Sequence, residues 1–69
     1  MSLSEAGRSS IDLDDAARQL EQAALDAQVA YDCISLGNLE RAHINAIIAC
    51  AEAAAADNVL RAVLAEEDD

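Results

Sequence analysis

The sequence predicts an all-α protein, an antiparallel two-helix hairpin that dimerises into a four-helix bundle. Three observations carry that reading. Apolar residues recur at three- and four-residue spacing on both sides of Gly37-Asn38, no proline interrupts either stretch, and the second stretch is apolar on two sides rather than one.

Residues 1–10, rich in Ser and without periodicity, read as a flexible N-terminal lead-in. Helix signals start at Ser9-Ser10-Ile11-Asp12. Ser10 or Asp12 can cap the first helix, and Asp12, Asp14 and Asp15 set negative charge against the positive end of its dipole. No Gly or Pro follows until Gly37, so the first helix is expected over residues 11–36. Its seam is read as Leu13, Ala17, Leu20, Ala24, Ala27, Tyr31 and Ile34, with Ala16, Ala23 and Ala30 beside it.

Gly37 suits the left-handed position that closes a helix, and Asn38 can cap the next one. A turn is therefore expected at 37–38 and a second helix over residues 39–65. Leu39, Ala42, Ala46, Ala49, Ala53, Ala56, Leu60 and Val63 repeat along it at three and four. Glu66-Glu67-Asp68-Asp69 forms an acidic tail over 66–69, where the negative end of the dipole disfavours carboxylates and the last turn should fray.

Packing between two such helices is limited by their composition. Of 69 residues 17 are Ala, Trp and Phe are absent, and Tyr31 is the one aromatic residue. Chains this short usually need disulfides, a metal or a partner to be stable. Small side chains let the two backbones approach closely, yet bury little area. Ile44, Ile47, Ile48, Ala51, Ala55 and Val59 lie off the expected seam, on a side that a solitary hairpin leaves in water. These six residues are the expected interface with a second copy or another protein.

Charge narrows the partners. The net charge is -10, from 14 acidic and 4 basic residues, with no Lys. Residues 11–36 carry -5 and residues 39–65 only -1. The second helix is thus expected to be the inner one. Nucleic-acid backbones and anionic membranes should be repelled, so no direct nucleic-acid binding and no membrane association are expected. The least polar stretch, residues 46–56, is far short of the roughly 20 residues that span a bilayer. Residues 1–8 hold no apolar run of signal-peptide length, and two cysteines make no disulfide scaffold, so a cytoplasmic setting is expected.

Several residues invite chemical readings. Glu40-Arg41-Ala42-His43 matches the Glu-x-x-His element of di-metal bundles. Glu21, however, lies some 20 Å further along the hairpin, so within one chain the two glutamates share no metal. A first-turn Glu and an exposed or Asp32-paired His43 explain the match more simply. Cys33 and Cys50 stand about 12 Å apart along the axis, beyond the roughly 7 Å that a disulfide tolerates, and read as small buried hydrophobes. Tyr31 reads as a core filler near the turn.

No enzyme is expected, because an alanine-packed hairpin offers little room for a pocket of about 300 Å³ holding convergent polar groups. No cofactor, metal or small-molecule substrate is expected either. The favoured function is a small acidic protein-protein interaction or oligomerisation module, an adaptor or regulator using its apolar helical face. The alternative is an acidic mimic of nucleic acid that inhibits a nucleic-acid-binding enzyme. Such a mimic needs carboxylates in regular rows, whereas Asp12, Asp15, Glu21, Asp26 and Asp32 are only loosely regular.

Overall fold

The computed structural model describes the backbone of residues 3–67 and the side-chain surroundings of residues 11–66. It consists of two helices, α1 over Leu3–Ser35 and α2 over Leu39–Glu67, packed against one another, with no strand among the described residues. The hairpin is a rod of 53 × 16 × 12 Å. At a rise of about 1.5 Å per residue the 33 residues of α1 account for that length.

The connection is built as the sequence predicts. Gly37 takes a φ of +78°, which L-residues with a Cβ seldom adopt. Its N–H donates to the Ile34 carbonyl at 3.0 Å, and the Asn38 N–H donates to the Cys33 carbonyl at 2.8 Å. These two bonds make a Schellman ending that satisfies carbonyls the helix would otherwise strand. Asn38 then serves α2 from the other side, its Oδ1 accepting the Arg41 N–H at 3.2 Å while its carbonyl accepts the Ala42 N–H. Two residues thus end one helix and begin the next.

The helix ends differ from expectation. α1 begins at Leu3 rather than Ile11, because Gly7 and the serines at 9 and 10 cost a helix about 1 kcal/mol or less each and do not stop it. The expected lead-in is therefore helical from Leu3, and Met1 and Ser2 lie outside the described residues. α2 continues two residues past its expected end, to Glu67, and residues 68–69 lie outside the described residues.

The seam of α1 also falls elsewhere than the spacing suggests. Ala16, Ala23, Ala30 and Cys33 are buried against α2, while Leu13, Leu20, Tyr31 and Ile34 are exposed by 41–66%. The contact stripe is shifted by one residue, through Asp12, Ala16, Ala23, Asp26, Ala30 and Cys33. In α2 it runs through Ala42, Asn45, Ala49, Glu52, Ala56, Val59 and Val63, which are buried or half-buried. The cause is steric: at the line of closest approach a methyl group permits backbone contact that a Leu or Tyr forbids. Tyr31 is thereby corrected from core filler to surface residue, and Cys50 from buried to exposed.

Candidate interaction surface

Around the seam the two helices present two long flanks, whose composition follows from the shift of one residue. In an antiparallel pair the reversal of direction and the reversal of facing cancel. Residues just before the seam positions therefore fall on one flank in both helices, and residues just after them on the other. A shallow groove confirms the first assignment: Asp15, Arg18 and Gln22 of α1 line it together with Glu52, Ala55 and Val59 of α2.

That first flank is mixed. Near the turn it carries Leu25 and Val29 from α1 with Ile44 and Ile48 from α2, all more than 40% exposed. Toward the open end it becomes more polar, with Asp15 ion-paired to Arg18 and with Gln22 and Asn58, although Ile11 is exposed there too. Of the six residues expected at an interface, Ile44, Ile48 and Ala51 lie here and are exposed, with Ala55 half-buried beside the seam. Ile47 points away from α1 on the back of α2. Val59 is corrected from the outer side to the seam, where it is half-buried.

The second flank was not anticipated as a surface. It carries the whole stripe read from sequence as the α1 seam: Leu13, Ala17, Leu20, Ala24, Ala27, Tyr31 and Ile34. From α2 it takes Leu39, His43, Ala46, Cys50, Ala53, Asp57, Leu60 and Leu64. Among these residues Asp57 is the one carboxylate, and Arg61 neutralises it at 2.9 Å. The signal that could have revealed this flank was available in the sequence, since two adjacent apolar stripes in α1, one of alanines and one of larger residues, cannot both face a single partner helix.

The remaining candidates are kept apart. His43 lies on the second flank and Asp32 on the first, where Asp32 accepts a hydrogen bond from Gln28 Nε2 at 3.2 Å instead. Glu40 is exposed in the first turn of α2. Cys33 is buried in the seam while Cys50 is exposed, and both are free thiols. Among the described residues no three His, Cys, Asp or Glu side chains come close enough to hold a metal ion, and no helix is long and apolar enough to cross a membrane.

Two carboxyl groups meet inside the seam. Glu52 lies opposite Asp26, its Oε1 buried without a hydrogen-bonding partner. When one of the two carboxyls is protonated, the shared proton supplies the missing donor. That hydrogen bond, then burial, then the negative charge of Asp26 raise the pKa of Glu52 above its ordinary 4.5. Asn45, the other polar residue of the α2 stripe, donates from Nδ2 to the Arg41 carbonyl of its own helix at 2.9 Å.

No family model, no curated protein and no solved structure significantly matches this chain. Its class is defined by its geometry: an acidic α-helical hairpin with an alanine seam and large apolar residues turned outward.

Proposed function

We propose that this protein is a small acidic, non-enzymatic interaction and oligomerisation module of the cytoplasm, and that its hairpins pair as homodimers into four-helix bundles. One observation carries the reading. Among the described residues no large side chain is fully buried within the hairpin, and Leu, Ile and Tyr residues along both helices stand more than 40% exposed. Exposed apolar surface of this extent on a small protein marks an interaction site. Its seam is filled by alanine methyls, each worth little, so most of the available apolar burial is reserved for another chain.

Reading the acidity as mimicry of nucleic acid finds less support. On the back of α1, opposite the seam, Asp14 and Glu21 are followed at the same seven-residue spacing by Gln28 and Ser35. The carboxylate row stops halfway.

Sedimentation equilibrium of the purified chain from low micromolar to submillimolar concentration tests the proposal. The mass is expected to rise to that of a dimer within this range, with circular dichroism helical throughout. A folded monomer across the whole range would overturn it.

A further inference from the structure

We infer that a second copy of this chain docks on the flank formed by Leu13, Leu20, Tyr31 and Ile34 of α1 with Leu39 and Leu60 of α2, and that the Ile44–Ile48 flank stays outside that contact. The inference rests on the oligomerisation reading above and assigns it a surface.

Area comes first. One flank of a rod 53 Å long and 16 Å wide is of the order of the roughly 800 Å² that each partner contributes to a standard interface.

Charge decides which flank and which occupant. Each chain brings -10, so two copies repel wherever their carboxylates meet. The α1 stripe from Leu13 to Ile34 contains no charged residue, and among the described residues the single carboxylate contributed by α2, Asp57, already pairs with Arg61. A basic partner would find nothing there to pair with. A like-charged copy, in contrast, meets no repulsion at the centre, and its acids remain at the solvated rim. The first flank is less suitable because Asp15, Arg18, Asp32 and Arg41 interrupt it. The second flank also has the profile of a self-complementary surface. Ala24, Ala27, Ala46 and Ala53 occupy its middle and admit close approach, while larger residues stand at both ends, where a two-fold axis through the centre brings them together.

Tyr31, the sole aromatic residue, sits on this flank at 66% exposure and reports on it without substitution. Tyrosine fluorescence is quenched with acrylamide, a neutral quencher that the acidic chain does not repel, across the same concentration series used for sedimentation. As the mass doubles, the quenching constant should fall by about threefold or more as Tyr31 becomes buried. A dimer in which Tyr31 remains as accessible as in the dilute monomer overturns the choice of flank and leaves dimerisation standing. A monomer throughout overturns both. In parallel, Leu20→Asp should give a helical monomer, and Ile44→Asp with Ile48→Asp should remain dimeric. The reverse pattern overturns the inference, and if Leu20→Asp unfolds the chain, the quenching of the unmodified protein decides.

Discussion

Asp26 and Glu52 face one another across the alanine seam, two carboxyl groups on opposite helices with a buried Glu52 oxygen and no donor between them unless one is protonated. A group whose pKa is raised on folding binds its proton more tightly in the folded state, so it stabilises the fold where it is protonated. For Glu52 that contribution is complete below its ordinary 4.5 and is lost as pH rises through the elevated folded value. Groups lining the groove beside Glu52 include Asp15 and Arg18, which neutralise each other, and the uncharged Gln19 and Gln22. Asp26 therefore dominates the local field.

The hairpin is thus expected to be more stable in mild acid than at neutral pH. Relief of the overall negative charge acts in the same direction, so Glu52→Gln is the needed control. Its amide donates to Asp26 at every pH. Urea unfolding followed by circular dichroism should show the variant more stable than the parent at neutral pH, with the difference shrinking below the ordinary carboxyl range. Equal stabilities at both ends would show that the pair is solvated and uncoupled.

At the turn, a Cβ on Gly37 would meet nothing within 4 Å, so the cost of a substitution is the positive φ alone. Gly37→Ala should destabilise the hairpin by about 1–2 kcal/mol, and Gly37→Asn by less, since Asn tolerates the left-handed region. Asn38→Ala removes the side-chain acceptor from the Arg41 N–H and should cost about 1 kcal/mol. Midpoints of thermal unfolding at one concentration rank the three. An ordering in which Gly37→Asn is the worst would mean that the turn rearranges.

Much of this architecture was legible in the residues, and what was not has a specific cause. Gly37 and Asn38 announced the turn because each does one thing a neighbour cannot, supplying a positive φ and an early cap acceptor. The two helices followed from spacing, whereas the face that meets the partner helix did not. Leu13, Leu20, Tyr31 and Ile34 outweigh Ala16, Ala23 and Ala30 on any hydrophobic count, yet closeness of approach selected the smaller set. In α2 the stripe mixed both roles, with Ala42, Ala49, Ala56 and Val63 on the seam and Leu39, Ala46, Ala53 and Leu60 beside it. Spacing locates a face only to within one residue when neighbouring stripes are both apolar, and in α1 the polar Asp26 lay on the true seam.

Binding to nucleic acid is expected to be undetectable at moderate salt. A chain of net charge -10 releases no phosphate counterions, and two of its four arginines, Arg18 and Arg61, are engaged by Asp15 and Asp57. Gel-shift assays with duplex and single-stranded probes should show free probe alone. A retarded band that weakens with added salt would reveal a basic surface formed only on assembly.

The seam assignment can be tested by making it too large. Ala56 is completely buried, whereas Ala54, two residues earlier, is exposed on the back of α2. Leucine at position 56 inserts three extra carbons at a fully buried point of the seam and should force the helices apart. Ala56→Leu is expected to destabilise the hairpin by about 1–3 kcal/mol, while Ala54→Leu, equal in helix propensity and in volume, should stay within about 0.5 kcal/mol of the parent. Were the larger α1 stripe the one facing α2, as spacing alone suggests, a leucine at 56 would find more room and the two variants would converge. Urea denaturation below the concentration of self-association separates the cases, because there only the contact between α1 and α2 is being measured.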